Sequence, residues 1–258
     1  MLLCFDIGNT NIKIGVFDGE DLHARWRIAT DRERLADEYA MLVGELFQSH
    51  GLRFDAVSGC VISSVVPSLT EAFEEFSKRY LHLDALVLTA DSDTGMRILT
   101  DYPAEVGPDL IANVLGARHL HGAPLIVIGF GTATTFAAVN AAGDFEGVAI
   151  APGVITSGDS LFRATSTLPR VALTRPPVAI GKNTVRSLQA GLVFGFAGLV
   201  ENLVGRIQAE LGGNAKVIAT GGLAALIAPE TEVIDAIEPD VALIGLRLLY
   251  ERGSSSQP

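Results

Sequence analysis

Two stretches of this chain repeat one pattern: an apolar run, a turn rich in glycine and polar side chains, and a second apolar run. The first is DIGNTNIKIGVF at residues 6–17, and the second includes GFGTATTF at residues 129–136. Apolar runs of this length around a tight turn predict a β-hairpin. The two hairpins begin about 120 residues apart, which is far beyond the period of solenoid repeats. A duplicated α/β domain explains this spacing better than a chance likeness between two halves.

The elements predicted around the two hairpins follow a similar order. The first half reads as strands at 2–7, 11–17 and 21–29, a helix within 30–51, a strand at 56–66, a helix at 67–80 and a strand at 85–88. The second half reads as a helix at 108–120, the second hairpin, a strand in GDFEGVAI, helices at 153–167 and 184–211, strands in AKVIATGG and EVIDA, and a helix from Pro239 to Tyr250. Thr30 and Glu33 have the spacing of a capping box for the first helix. We predict two α/β lobes, residues 1–118 and 119–258, with a ligand cleft between them.

Composition and charge exclude several classes of function. The chain has 258 residues, 48% of them hydrophobic, and a net charge of −11, which argues against a nucleic-acid surface. Its longest apolar block, residues 190–200, is shorter than the roughly 20 residues that span a bilayer, so we predict a buried helix and no membrane partner. Cys4 and Cys60 lie in apolar runs and are expected to be buried, reduced thiols. Asp6 interrupts the apolar start, so no signal peptide is expected and the predicted location is cytoplasmic.

The first turn has the chemistry of an anion site. Gly8 lets a ligand approach the backbone, Asn9 tolerates a left-handed turn, and successive N–H groups in such a turn form a concave anion nest. Asp6, at the end of the strand, points a carboxylate to the same place, and a carboxylate beside phosphates indicates an intervening magnesium ion. A plain hairpin whose Asp6 caps its own turn remains the alternative.

Three further segments support a nucleotide site. GFGTATT repeats the donor-rich turn, and ATGGLA at residues 219–224 follows a predicted strand and precedes a helix, so its glycines permit close approach of a ligand. YPAEVGPD places Asp109 at a helix start. There it is either a helix cap or a general base for an attacking hydroxyl, and the residues alone leave both open.

With these segments in view, the chain resembles the type III pantothenate kinases, within the superfamily of acetate and sugar kinases, Hsp70 and actin. The resemblance runs from Asp6 to about Tyr250, and its segments in order are DIGNTNIKIGVF, SSVVP, PAEVGPD, GFGTATT, IAPGV, LP, IGKNT, ATGGLA and IEPDVALIGL. It implies a duplicated ribonuclease H-like, actin-like ATPase fold. The implied reaction is the ATP-dependent phosphorylation of pantothenate to 4'-phosphopantothenate, the first step of coenzyme A biosynthesis, in a homodimer.

The resemblance also implies roles for individual residues. ATP is expected to contact the following positions: Asp6, Ile7, Gly8, Asn9, Thr10, Asn11, Ile12, Lys13 and Thr132 at the phosphates, with Gly221 and Gly222 at the adenosine. Asp6 is expected near Mg²⁺, and Asp109 is expected to accept the hydroxyl proton. Pantothenate is expected to contact Tyr102, Gly107, Pro108, Asp109, Leu110 and Thr184, in a pocket bordered by the partner subunit.

The chain departs from the family pattern at three positions. Leu110 stands where an arginine usually follows the aspartate, so pantothenate's carboxylate lacks that cation. Thr100 stands where a tyrosine is usual, and Tyr102 is its nearest substitute. Gly129 replaces an aspartate linked to a monovalent cation, K⁺ or NH₄⁺, so dependence on that cation is in doubt.

These departures keep three interpretations open. One is an active pantothenate kinase with altered affinity or cation dependence. Another is a non-catalytic, nucleotide-binding regulatory relative. A third is a kinase for another small alcohol, one without a carboxylate, which Leu110 would allow. The presence of both Asp6 and Asp109 favours an active kinase.

Overall fold

The first of two five-stranded sheets is built around the first hairpin. The computed structural model describes residues 1–255. Strands β1 (Leu2–Ile7), β2 (Asn11–Asp18), β3 (Asp21–Ala29), β4 (Gly59–Ser64) and β5 (Leu86–Val87) lie in the order β3-β2-β1-β4-β5. The first three strands are antiparallel, whereas β4 runs parallel to both β1 and β5. Helices α1 (Ala36–Ser49), α2 (Pro67–Phe76) and α3 (Pro108–His121) follow along the chain.

The second sheet repeats this topology. Strands β6 (Leu125–Phe130), β7 (Ala133–Val139), β8 (Phe145–Pro152), β9 (Lys216–Gly221) and β10 (Ala236–Ile237) lie in the order β10-β9-β6-β7-β8. A hairpin again joins the first two strands, β6 and β7, which are antiparallel, and β6 runs parallel to β9 as β1 does to β4. Helices α4 (Val154–Ala164), α5 (Thr184–Glu210) and α6 (Ala224–Ile227) belong to this half, and α7 (Val241–Ser255) is the last helix. Since strand order and direction agree position by position, the predicted duplication is present in the fold.

The chain divides into two compact units that are not continuous in sequence. The first unit contains Met1–Arg97, Asp101–His119 and the C-terminal segment from Val241, and the second contains Ile98–Thr100 and Leu120–Asp240. Lobes of residues 1–118 and 119–258 were predicted. The structure differs at the last helix, which belongs to the first unit, and at a short segment before α3, which belongs to the second.

Helix α7 packs on the first unit through glycines. A Cβ at Gly245 would overlap the backbone carbonyl of Ala112, and one at Gly116 would overlap that of Val241, so α3 and α7 approach backbone to backbone. At the far end of α7, the Tyr250 hydroxyl donates to the carbonyl of Ser58 at 3.3 Å. These contacts explain why an apolar helix at the end of the chain returns to the first sheet.

Helix α5 is the core helix of the second unit. Its bounds agree with the helix predicted at 184–211, and its 27 residues are long and apolar enough to cross a membrane by length and composition alone. One face is buried, through Ala190, Leu192, Val193, Phe196, Ala197, Val200 and Val204. The larger of these side chains, from Leu192 to Val204, form one apolar cluster with residues of β6, β7 and β9, as a buried helix does.

Local predictions failed where distant contacts decide the geometry. Helix α1 begins at Ala36, and its first turn is closed by Glu38, whose carboxylate accepts from the Leu35 N–H at 2.8 Å. The capping box predicted from Thr30 and Glu33 is therefore wrong, because the Thr30 hydroxyl donates to Gly8 instead. The last strand is also shorter and later than EVIDA suggests.

Candidate functional site

The first turn is a tight connection between β1 and β2. The N–H of Gly8 donates to the carbonyl of Asn11 at 3.0 Å, and a Cβ on Gly8 would come within 3.1 Å of that oxygen. Asn9 and Thr10, at the tip, are exposed. The turn therefore presents polar groups to solvent at the end of a buried strand.

Asp6 lies where β1 meets this turn. It is 8% exposed, and Lys13 is its direct neighbour across the β1–β2 ladder. The Lys13 Nζ lies 3.5 Å from Asp6 Oδ2, whereas Oδ1 is buried without a hydrogen-bond partner within residues 1–255. Ser63, paired with Asp6 on β4, also has a buried hydroxyl without a partner in the described chain. Buried polar atoms without partners are costly, so this corner is suited to a polar ligand.

Asp109 lies in the first turn of α3, in the same unit. Its carboxylate lies over Gly107, where a Cβ would come within 2.6 Å of Oδ1, and it accepts from the N–H groups of Leu110 and of its own backbone. Burial, and then the charge of Asp6, raise the pKa of Asp109, while the backbone N–H groups and Lys13 act in the opposite direction. The fold thus brings Asp6, Lys13 and Asp109 within electrostatic reach of one another.

A loop between β3 and α1 supports the first turn. The Thr30 hydroxyl donates to the Gly8 carbonyl at 2.7 Å, and the Thr30 N–H donates to the Thr10 carbonyl at 3.0 Å. Arg32 donates from Nη2 to Asn9 Oδ1 at 2.7 Å. The turn is therefore held from a segment 20 or more residues away in sequence.

The second turn, in the other unit, is one residue shorter and is also closed by a glycine N–H. The Gly131 N–H donates to the Ala133 carbonyl at 3.0 Å, and the exposed Thr132 accepts at its carbonyl from Gly153 N–H at 3.1 Å and from the Thr156 hydroxyl at 2.7 Å. Gly221, which ends β9, has φ +96°, a conformation that favours glycine. A Cβ there would overlap the backbone of Phe130, so β9 can end this close to the turn only with glycine.

The register shows what replaces Asp6 in the second sheet. Gly129 occupies the position of Asp6, Thr135 that of Lys13, and Thr220 that of Ser63. A Cβ at Gly129 would lie 2.7 Å from the Thr135 hydroxyl oxygen, so this hydroxyl fills the space beside the glycine. The site has no carboxylate at that position, and a side chain there would require the Thr135 hydroxyl to move.

The remaining predicted residues have different environments. Tyr102 is 69% exposed, and Leu110 is 9% exposed. Thr184 is an exposed residue at the start of α5, after Asn183, whose side chain caps the helix by accepting from the Arg186 N–H at 2.9 Å. Gly222 is exposed beside Gly221.

Sequence reasoning overlooked several polar residues. They are Thr30, Arg32, Ser63, Thr135 and Thr220. Ser63 and Thr220 could have been found by aligning the fourth strands of the two halves, since both stand in register with the position of Asp6 or its counterpart. Thr30 and Arg32 act through tertiary contacts that no local pattern indicates.

We predict that Asp109→Asn stabilises the protein at neutral pH. The folded-state pKa of Asp109 is above its ordinary 3.8, so its ionisation costs stability as pH rises through that raised value. The variant should melt at a higher temperature than the parent near pH 7. The difference in melting temperature should vanish near pH 3, because an aspartate has a pKa of ~3.9 in the unfolded chain and the Asp109 carboxyl is then protonated in both the folded and the unfolded state. Thermal unfolding across this pH range measures it.

The matched control for that prediction is Asp37→Asn. Hydrogen bonds from Tyr80 and then Arg79 lower the pKa of Asp37, so removing its carboxylate should destabilise the protein at neutral pH. The destabilisation should become smaller in acid, where the parent carboxylate is protonated. Changes in melting temperature that are equal and of the same sign in both variants would contradict the raised pKa of Asp109.

Comparisons with known proteins identify the family of this chain. The profile of the type III pantothenate kinase family matches residues 2–206. A type III pantothenate kinase of Roseiflexus sp. (strain RS-1) is 52% identical over 255 residues, covering 99% of this chain and 100% of the relative. That of Moorella thermoacetica is 48% identical over 254 residues, covering 98% and 100%.

Solved structures agree on the fold. The activator of the 2-hydroxyisocaproyl-CoA dehydratase from Clostridium difficile, with bound ADPNP, has a TM-score of 0.60 at 13% identity, covering 100% of this chain and 98% of that one. Component A of the (R)-2-hydroxyglutaryl-CoA dehydratase from Acidaminococcus fermentans has a TM-score of 0.54 at 15% identity, covering 99% of each chain. The predicted duplicated actin-like ATPase fold is confirmed.

The family likeness noted in the sequence is thereby confirmed over nearly the full length. With a family profile across residues 2–206 and 52% identity to a full-length relative, the chain belongs to the type III pantothenate kinases, a family of phosphotransferases.

Proposed function

We propose that this protein transfers the γ-phosphoryl group of ATP to the primary hydroxyl of pantothenate, giving 4'-phosphopantothenate for coenzyme A synthesis. The observation that carries the proposal is the placement of Asp109 near the Asp6–Lys13 pair in a chain of this family. A base and a cation beside a phosphate-binding turn are the groups that phosphoryl transfer requires.

Asp109 is the proposed general base. Its carboxylate accepts the hydroxyl proton as the oxygen attacks the γ-phosphorus. Burial and the Asp6 charge raise the pKa of Asp109, which makes its carboxylate a stronger base than an exposed one. Activity should fall as pH decreases through that raised pKa, because the protonated carboxyl can no longer accept a proton.

The two turns are proposed to hold ATP. Residues 6–13 and Thr132 contact its phosphates, and Gly221 and Gly222 lie against its adenosine, where the absence of side chains permits close approach. An apolar cavity of 260 Å³ beside Leu223, between α4 and α5, is large enough for a flat base. Lys13 offers its ammonium group to the phosphate charge.

The residues present fit a magnesium ion. Within residues 1–255 no cluster of three or more His, Cys, Asp or Glu could form a metal cage. Mg²⁺ in kinase sites does not need one, because one or two carboxylates, waters and substrate phosphates complete its octahedron. The buried Oδ1 of Asp6, unpartnered in the described chain, is the ligand we propose. When bound, Mg²⁺ neutralises charge on the phosphate oxygens.

Pantothenate is proposed to contact residues 107–110, Tyr102 and Thr184. Leu110 offers no charge to its carboxylate, and a charged hydrogen bond contributes about 1.5–3 kcal/mol. Affinity for pantothenate should therefore be about ten- to a hundredfold weaker than with an arginine at this position. The location we propose is the cytoplasm, which agrees with the free, buried Cys4 and Cys60.

A kinase assay with Asp109 variants tests the proposal. The parent should release ADP in a pantothenate-dependent manner, and Asp109→Ala should lower kcat by about 10²–10⁴-fold because it removes the base. ATP affinity, measured by calorimetry, should remain close to that of the parent. Asp101→Asn, an exposed aspartate of the same segment, is the control and should retain the parent rate.

Two results of this assay would overturn the proposal. ATP binding without turnover of pantothenate or of any other alcohol indicates the non-catalytic regulatory relative. Turnover of an alcohol that lacks a carboxylate, with none of pantothenate, indicates the kinase of different specificity.

The monovalent cation expected for the family does not fit position 129. Gly129 has no ligand atom in its side chain, and the Thr135 hydroxyl fills the adjacent space. We predict that rates in K⁺, NH₄⁺ and Na⁺ buffers differ by less than about tenfold, or ~1.4 kcal/mol. The matched variant is Gly129→Asp with Thr135→Ala, which restores a carboxylate and makes room for it. Strong stimulation of the parent by K⁺ alone would show that other groups form the cation site.

A homodimer is the proposed assembly, and α5 supplies its strongest support. Gly191, Gly195, Gly198, Asn202 and Gly205 are all exposed, and their spacing of four and three residues places them on one helix face. A Cβ at any of the four glycines would meet nothing within 4 Å. Internal packing therefore does not explain these glycines, and close approach of another helix does.

Nearby apolar side chains extend this face. The second unit exposes ten large hydrophobic residues, and six of them lie between position 155 and the start of α5: Ile155, Leu161, Phe162, Val178, Ile180 and Val185. Exposed apolar residues near one another in sequence are candidates for an interaction surface. In the proposed dimer this surface is covered by a second copy of the chain.

We predict that Gly195→Arg makes the protein monomeric in light scattering at micromolar concentration. Arginine favours helix over glycine by up to about 1 kcal/mol, so α5 itself should not be weakened. The control is Met41→Arg, which adds the same charge at a helical residue that is 72% exposed in the first unit. A monomeric parent, or a dimer that survives Gly195→Arg, would contradict the proposed interface.

A further inference from the structure

Arg32 is a cation held directly at the first turn. It lies in the loop between β3 and α1, and its Nη2 donates to Asn9 Oδ1 at 2.7 Å. Asn9 forms the tip of the turn, and both side chains are exposed. A guanidinium group has five N–H donors, so four remain after this bond.

The loop that carries Arg32 is anchored at both ends. On one side, Thr30 donates to the turn through its hydroxyl and through its N–H. On the other, the Tyr39 hydroxyl donates to the Asp31 carbonyl at 2.9 Å, and Asp31 Oδ1 accepts from the Glu33 N–H at 3.2 Å. Arg32 is therefore positioned by the fold before any ligand arrives, which lowers the entropic cost of using it.

Its charge is not compensated locally. Within residues 1–255, Arg32 has no ion pair with a carboxylate, whereas Arg34, two residues on, pairs with Asp31 at 3.9 Å. The neighbouring strands add charge of the same sign, because Arg27 on β3 stands in register with Lys13 on β2. Directly paired residues share a sheet face. Lys13 is already paired with Asp6 at 3.5 Å, so Arg27 and Arg32 are the cations here that form no ion pair within residues 1–255, in a chain with a net charge of −11.

Like charges placed together cost free energy unless an anion binds between them. Arginine binds phosphate oxygens with two parallel N–H donors, which a lysine cannot do. We infer that Arg32 is a phosphate-binding residue that grips the triphosphate of ATP from outside the turn, with Asn9 orienting its guanidinium group. This inference rests on the proposed function.

The inference predicts a loss of nucleotide affinity that is larger when the nucleotide carries more phosphates. Arg32→Gln should raise the Kd for ATP at least tenfold, as expected for a charged hydrogen bond of about 1.5–3 kcal/mol. Binding of AMP, which lacks the outer phosphates, should change far less. Arg32→Lys keeps the charge but not the paired donors, and it should fall between the parent and Arg32→Gln. Calorimetry with Mg²⁺ and each nucleotide measures these values.

Arg34→Gln is the matched control, with the same change of charge two residues away in the same loop. It should leave the Kd for ATP close to that of the parent, and melting temperatures of all variants should be compared to exclude unfolding. In steady-state kinetics, Arg32→Gln should raise KM for ATP and leave KM for pantothenate unchanged. A raised KM for pantothenate with an unchanged KM for ATP would assign Arg32 to pantothenate's carboxylate and overturn the inference.

Three other results would also overturn it. They are equal losses of ATP and AMP affinity, equal effects of Arg32→Gln and Arg34→Gln, and an unchanged Kd for ATP in Arg32→Gln. The binding experiment separates this inference from the proposed function. A parent that binds ATP but does not phosphorylate pantothenate refutes only the function, and Arg32 is still tested by the nucleotide series. A parent that does not bind ATP refutes both.

Discussion

The candidate site depends on the cross-strand pair between Asp6 and Lys13. A carboxylate that is 8% exposed is costly unless its charge is compensated, and the hairpin places Lys13 opposite it for that purpose. The compensation is incomplete, since Lys13 reaches Oδ2 at 3.5 Å while Oδ1 has no partner among residues 1–255. The first unit therefore holds a carboxylate oxygen in a state that a polar or cationic ligand would stabilise. Asp109 adds a second negative charge near it, which strengthens that preference.

The second hairpin has no such charged pair at the corresponding positions. In register, Gly129 replaces the carboxylate and Thr135 replaces the lysine, so both charges are absent together. Removing one partner alone would leave an uncompensated buried charge, which costs about 3–5 kcal/mol, whereas neutral residues at both positions avoid that cost. The two turns thus differ at two positions that face each other in one ladder. In both hairpins a glycine N–H donates to a backbone carbonyl across the turn, from Gly8 to Asn11 and from Gly131 to Ala133, and neither bond involves the pair.

The internal repeat made much of the fold predictable. Hairpins, helices and parallel strands follow from apolar periodicity, and the position of Asp6 at the end of β1 follows from its place before Gly8. The sequence could not predict on which sheet α7 packs, because an apolar helix is compatible with either. The close contact between Gly245 and the backbone of α3 places α7 on the first unit, and no local sequence pattern indicates this contact. Thr30 was assigned to a helix cap for the same reason: its hydroxyl serves a distant carbonyl. Residue roles in the site remain predictions, since they concern ligands and not the chain's own contacts.

To bind ATP at the first turn, the local positive charges must outweigh the repulsion from the net negative charge of the chain. ATP is strongly anionic, and a chain with a net charge of −11 repels it at long range. At physiological ionic strength, charges are screened beyond about 8 Å, so the cations that decide binding are those at the site itself. Lys13, Arg27 and Arg32 are such cations, from two adjacent strands and the loop that follows them. Because β2 and β3 are joined by a tight turn and the loop is tied back to Gly8, the positive charge is fixed where the phosphates are proposed to lie. The first unit can therefore be acidic overall and still select an anion, since selection requires only that the nearest charges be positive and already in place.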